Sequence, residues 1–357
     1  MKICVFTANE FMNHKTFEEM KVFWKKWGHE VYQYNLAENP NDDYLFSIKH
    51  YQVYEGALNY AESIGADVLF FDNLLTFPEY LLAELEVRPN YKPKIVFLFA
   101  FRESYKSRAR ANVIARLIDK PQVKIPVLES FIGNDIIPPD NFLEANPNLD
   151  KIKVIYDKHN YETENFYEDK ILSRKKYKLP KNKFILLFFG RINSSKGIDL
   201  ITRAMDKLGP EYFLFVKGNT HFMDYNFDIE KELNHKSNIE FINGYTPNEE
   251  LGYVFSAADV SVMPYRWQYT YGSSGNAVPS SLARKPMILP NIYPLNVFIN
   301  KFNLGRVFEE DNVNSLVEKI IEIKENYNDI VKNAKFEEHL KSLTTTEQMA
   351  KIVIKEV

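Results

Sequence analysis

Short apolar runs rich in β-branched and aromatic residues alternate along this chain with longer stretches of helical spacing, and the whole alternation occurs twice. Such a pattern leaves few folds open. Parallel strands need a long crossover, usually a helix, so a strand-helix series builds parallel sheets covered on both faces. In the first half the strand candidates are residues 2–7, 30–35, 67–72, 94–101, 123–128 and 153–156, with helical spacing over 17–27, 51–64 and 105–118. The second series runs through 184–189, 213–216, 239–242, 260–264, 287–289 and 306–308. The runs are almost continuously apolar, as strands buried on both faces require. Helical stretches over 312–327, 330–343 and 346–357 follow with no further strand.

With 357 residues the chain exceeds one compact core, and two domains are expected. The polar, tyrosine-rich stretch 156–183 separates the series. The reading is an α/β protein with a Rossmann-like domain over 1–165, a second Rossmann-like domain over 166–340, and a C-terminal helix over 341–357 packing back on the first domain. In open parallel sheets ligands sit beyond the carboxyl ends of the strands, so two doubly wound domains facing a cleft would put both sets of such loops on it.

Charge and cysteine usage exclude several function classes. A formal net charge of −3 gives no basic field, so nucleic acid is not expected as a partner. The single cysteine, Cys4, rules out an internal disulfide and a cysteine-based metal cluster and fits a reducing cytoplasm. The opening MKICVFTAN has too short an apolar run for a signal peptide or a membrane span. The expectation is a cytoplasmic protein whose membrane contact, if any, is peripheral and at the inner face.

Chemistry concentrates on strand-to-helix turns of the second half. In Phe188-Phe189-Gly190-Arg191-Ile192-Asn193-Ser194-Ser195-Lys196-Gly197, two glycines allow close backbone approach and two cations flank a helix start. Those are the ingredients of an anion site, although the spacing is not that of a nucleoside-triphosphate P-loop. Pro264 to Asn276 forms a second such turn, in which Ser273 or Ser274 can cap a helix starting near 276–278 and Ser274-Gly275-Asn276 can meet a second phosphate. Lys217-Gly218-Asn219 and Asn243-Gly244-Tyr245 are polar turns on the same rim, suited to a nucleoside.

The runs FFGRINSSKGIDLITRA, IEFINGYTPNEELGYVFSAADVSVMPY and SSGNAVPSSLARKPMI together resemble glycosyltransferase family 4, the retaining enzymes of the GT-B fold, over about half of the chain. The resemblance implies transfer of a hexose from a nucleotide-diphosphate-sugar, with Arg191 and Lys196 gripping the diphosphate as catalytic charges and Ser274-Gly275 capping the distal phosphate. It implies a donor site made of Gly190, Arg191, Lys196, Gly218, Asn219, Gly244, Tyr245, Ser273, Ser274, Gly275 and Asn276, with no metal and no cofactor beyond the nucleotide-sugar substrate. The family's Glu-x7-Glu region is degenerate here: no acidic residue occurs between Asp259 and Glu309. The Gly-rich first loop is missing too, since Gly28 is the first glycine. The histidine common after the fourth strand has no counterpart, and Arg102, Glu103 and His14 are the nearest polar candidates.

A retaining transfer needs no protein base if the departing phosphate oxygen takes the acceptor proton, so charge stabilisation by Arg191 and Lys196 suffices in outline. An inverting transfer needs a carboxylate from the first domain, and Glu10, Asp72 or Glu103 could serve. The acceptor-side candidates are thus Glu10, His14, Asp72 and Arg102, for a glycan, lipid-linked or other hydroxyl acceptor. The 17–27 stretch joins Met20, Phe23, Trp24 and Trp27 to Lys21, Lys25 and Lys26, a pattern that suits either an anionic membrane or a core face with solvated lysines. The missing acids and histidine keep a second reading open, a catalytically inactive GT-B-like partner or glycan-binding subunit.

Overall fold

The computed structural model describes residues 1–7, 14–35, 50–71, 78–156, 158–159, 166, 169–220, 233 and 236–355. Two units make up the chain, one of Met1–Asn160 with Leu343–Val357, the other of Tyr161–Ser342.

In the first unit β1 (Lys2–Thr7), β2 (Glu30–Asn35), β3 (Val68–Phe71), β4 (Lys94–Phe99), β5 (Val123–Ser130) and β6 (Lys153–Tyr156) form one parallel sheet in the order β2-β1-β3-β4-β5-β6. The strand order reverses between β1 and β3, and the loops after both strands lie outside the described residues. Ile3, Val5, Val68 and Phe70 bury one face against Met20 and Trp24 of the helix His14–Lys26 and Met349, Ala350 and Val353 of the terminal helix Thr346–Lys355. Trp24 donates its indole N–H to the carbonyl of Ala350 at 2.9 Å. A two-residue strand β7 (Lys158–His159) pairs in parallel with Thr344–Thr345, just ahead of that helix.

The second unit repeats the plan with β8 (Phe184–Arg191), β9 (Tyr212–Asn219), β10 (Ile239–Asn243), β11 (Val260–Val262), β12 (Met287–Pro290) and β13 (Gly305–Phe308), all parallel, in the order β10-β9-β8-β11-β12-β13. Along β8, Leu186 and Phe188 face the helices Ile198–Met205 and Val313–Glu325, while Ile185 and Leu187 face Phe255 and Tyr177. Both faces are covered, which is why the run lacks polar alternation. Beneath the sheet Asp259 accepts from the Ile185 N–H at 2.7 Å and from Arg174 at 2.6 Å, and also pairs with Lys170. That buried carboxylate ties the helix Lys170–Lys176 to β8 and β11.

Several elements differ from the sequence reading. The predicted 105–118 helix is two, Phe101–Lys106 and Arg108–Asp119, because Ser107 turns extended and its hydroxyl accepts the Arg110 N–H at 3.4 Å. The predicted 330–343 helix likewise divides into Tyr327–Asn333 and Phe336–Ser342. Lys217, Gly218 and Asn219 end β9 rather than forming a turn.

Candidate functional site

In a sheet of this order the crevice opens where the order reverses, beyond the carboxyl ends of the strands. In the second unit that point lies between β8 and β11, so the loops that follow these two strands are the ones to inspect. They are the two turns singled out in the sequence.

After β8 the chain makes a short 3-10 turn at Ser194–Lys196 and enters the helix Ile198–Met205. Asn193 shapes the turn, its side-chain carbonyl accepting from the Lys196 N–H at 3.1 Å and the Ser195 hydroxyl at 2.9 Å. Gly197 is left-handed at φ 68, and a Cβ there would lie 2.0 Å from the Pro264 carbonyl oxygen. Only glycine lets the two loops close on each other.

The loop after β11 grips this turn at several points. Arg266 donates its backbone N–H to Ser195 at 3.0 Å, and its guanidinium reaches the Ser194 carbonyl, Asp199 at 2.7 Å and Asp311 at 2.7 Å. Burial alone would lower the Arg266 pKa, but its bonds to Asp199 and Asp311 raise it, so the fork stays charged. Lys196 bonds the hydroxyl of Tyr265 at 3.0 Å, its ammonium 4.2 Å from the Tyr265 ring centre and 4.9 Å from that of Tyr269. Tyr265 is buried, and its hydroxyl also contacts Ser274 Oγ at 2.8 Å and Asn276 Nδ2 at 3.4 Å. Asn276 Nδ2 in turn donates to the Phe189 carbonyl at 2.8 Å. The side-chain bonds of Lys196 reach no carboxylate among the described residues.

The structure therefore brings Gly190, Lys196, Ser274 and Asn276 onto one rim. Gly190 has φ 110, and a Cβ on Gly218 would lie 2.2 Å from its carbonyl oxygen. Gly244 donates its N–H to Gly218 at 2.8 Å and accepts from the buried ammonium of Lys217 at 3.2 Å. Burial lowers the Lys217 pKa, with Glu250 opposing. Asn219 accepts from the Ile192 N–H at 3.0 Å. Arg191 ends β8 exposed, as are Ser273 and Gly275, and Tyr245 is 76% exposed.

One expectation is corrected. Neither Ser273 nor Ser274 caps the helix Ala277–Leu282 through its side chain: Asn276 is the N-cap, its side chain making no capping bond, and Ser274 Oγ is committed to Tyr265 and to Met263 Sδ. The first-unit candidates are a different case. Glu10 and Asp72 fall outside the described residues, and His14 and Glu103 lie on the helices His14–Lys26 and Phe101–Lys106 with side chains outside the description. Arg102 is half-buried on that second helix. The apolar face proposed for a membrane is largely packed inward, with Met20 and Trp24 buried and Phe23 stacked on Trp27 at 5.7 Å. Among the described residues no three His, Cys, Asp or Glu side chains gather to hold a metal ion, and no helix is long and apolar enough to cross a membrane.

Tyr265, Arg266 and Tyr269 lie within the second turn, where the sequence reading gives them no role. The Tyr-x3-Tyr spacing beside a proline after a strand was the available signal.

Residues 169–339 match the family model described as Glycosyl transferases group 1. The match spans nearly all of the second unit, just under half of the chain, and supports a group 1 glycosyl transferase family. An uncharacterized glycosyltransferase of Methanocaldococcus jannaschii is 30% identical over 120 residues, 32% of this chain and 30% of that protein. The aligned part is thus under a third of the relative's length. Among solved structures, sucrose-phosphate synthase from Thermosynechococcus elongatus superposes with a TM-score of 0.75 at 15% identity, covering 99% of this chain and 98% of that one. Anabaena HepE in complex with UDP-glucose superposes at 0.68 with 11% identity, covering 99% and 98%. The fold is that of the GT-B glycosyltransferases, two α/β domains each built on a six-stranded parallel sheet.

Proposed function

We propose that this chain is a family 4 hexosyltransferase that moves a sugar from a nucleotide-diphosphate-sugar to a hydroxyl of a glycan or lipid-linked acceptor, with retention. The observation that carries the reading is Lys196. Its ammonium is held at the strand-order reversal by a hydroxyl and two aromatic rings, and its side-chain bonds reach no carboxylate among the described residues. A fixed positive charge with no carboxylate partner among the described residues, beside a helix start and close-packed glycines, is suited to a diphosphate. The family match across the second unit and the UDP-glucose in HepE support a nucleotide-sugar as the donor.

In the proposed reaction the bond from the anomeric carbon to the donor phosphate oxygen breaks while the acceptor oxygen bonds to that carbon on the same face. The departing oxygen takes the acceptor proton. Lys196, with Arg191 at the end of β8, stabilises the charge that grows on the leaving diphosphate.

Incubation with UDP-, GDP-, ADP- and TDP-sugars, with released nucleoside diphosphate measured and the product anomer assigned by NMR, tests the proposal. Release from one donor with an unchanged anomeric configuration is the expected result. Donor binding with no release under any condition would favour an inactive partner subunit, and an inverted product would refute retention.

A further inference from the structure

Several of the chain's lysines pair with carboxylates: Lys21 with Glu18 at 3.1 Å, Lys319 with Glu322 at 2.9 Å, Lys351 with Glu347 at 2.8 Å. Lys196 is held differently. Tyr265 and Tyr269 stack with ring centres 4.1 Å apart and 23° between planes, and the ammonium lies within 5 Å of both centres while bonding the Tyr265 hydroxyl. A carboxylate partner would fix the ammonium but cancel its charge and compete with any incoming anion. A ring quadrupole attracts the cation and leaves its full charge available.

Resting on the donor-site reading above, we infer that Tyr265 and Tyr269 are positioning residues that hold Lys196 charged and aimed for the donor diphosphate, taking over the fixing role that a carboxylate plays elsewhere in the chain. Tyr265 is anchored for this. Its hydroxyl is shared with Ser274 Oγ and Asn276 Nδ2, and Ser274 in turn meets Met263 Sδ at 3.2 Å, so the ring cannot swing without breaking a buried chain of contacts. Burial pushes the Tyr265 phenol well above its ordinary range against the opposing bonds from Ser274 and Asn276, so it remains neutral. Tyr269 is less enclosed and sits in the 3-10 turn Trp267–Tyr269, whose start Arg266 pins to the Lys196 turn. The same loop that closes over Gly197 thus also orients the lysine.

Two readouts test the inference. In the free protein, NMR of the Lys196 Hε protons should show an upfield ring-current displacement that Tyr269→Phe keeps and Tyr269→Leu reduces, the nearer Tyr265 ring supplying the remainder. In titrations with the nucleoside diphosphate that binds best, Tyr269→Leu and Tyr265→Phe should each weaken binding roughly fivefold, while Tyr269→Phe stays within about twofold of the parent. The tyrosine effects should vanish when Lys196→Met is already present, a non-additivity that general loosening of the fold would not produce. A Lys196 signal indifferent to Tyr269→Leu, or equal losses with and without Lys196, would overturn the inference while leaving the donor site standing. A parent protein that shows the displaced signal but binds no nucleoside diphosphate would refute the donor-site reading, and with it the role given to the cradle.

Discussion

Gly197→Ala should damage both stability and the proposed donor site, and the two costs can be worked from the geometry. At φ 68 the residue is left-handed, where an alanine costs about 1–2 kcal/mol more than glycine. The added Cβ would sit 2.0 Å from the Pro264 carbonyl oxygen, a contact that must open by more than 1 Å. Overpacking of that kind costs roughly 1–3 kcal/mol. The total of about 2–5 kcal/mol corresponds to a drop in Tm on the order of 5–15 °C for a unit of this size. Gly244→Ala is the internal control, because φ is 119 there but nothing lies within 4 Å of the added Cβ; it should lose only the backbone part. The displaced carbonyl belongs to the residue before Tyr265, so Gly197→Ala should also weaken nucleoside-diphosphate binding, measured by calorimetry well below its Tm. A Gly197→Ala protein that melts with the parent, or no lower than Gly244→Ala, would refute the claim that the two loops are in forced contact.

Other consequences concern buried charge and the lone thiol. Asp259→Ala would strand Arg174, which is 4% exposed; removing one partner of such a pair should cost about 3–5 kcal/mol in denaturant unfolding. Burial, with help from Lys170, lowers the Lys285 pKa to about 8 from 10.5, so between those values the unfolded chain binds the extra proton and stability rises with pH. Relative to Lys285→Met, the parent should therefore gain about 2 kcal/mol on going from pH 7 to pH 9.5, and a gap that does not change with pH would contradict the burial of that ammonium. Cys4 is fully buried and its thiol is pushed up to about 12, so a thiol reagent should find no reactive group in the folded protein and one after denaturation.

The parallel strands were legible because burial on both faces leaves a strong signal: the apolar run 184–189 is readable as a strand, which the structure extends through Gly190 to Arg191. The turn at Asn193 to Gly197 was legible as a strand-to-helix connection, since small and polar residues with a glycine follow the apolar run directly. Strand order was not, and it is the order that puts the loops after β8 and β11 side by side. Helix ends set by one residue were also hidden; Ser107 divides a stretch whose spacing alone is continuous. Ser274 was placed in the right turn, but its side chain does not cap the helix, because its partner Tyr265 is nine residues away and their contact depends on how the loop folds back. The cradle under Lys196 escaped notice for the same reason, being made of rings whose sequence neighbours resemble ordinary core aromatics.

The central claim is that the turn between β8 and the helix Ile198–Met205 holds the diphosphate of a nucleotide donor. Calorimetric titration of UDP, GDP, ADP and TDP into the parent, Arg191→Ala and Lys196→Ala proteins tests it most directly. The account predicts that one diphosphate binds selectively and that each variant weakens it by about 1.5–3 kcal/mol, the loss of one charged hydrogen bond. Binding by none of the four, or an affinity that neither variant changes, would contradict it.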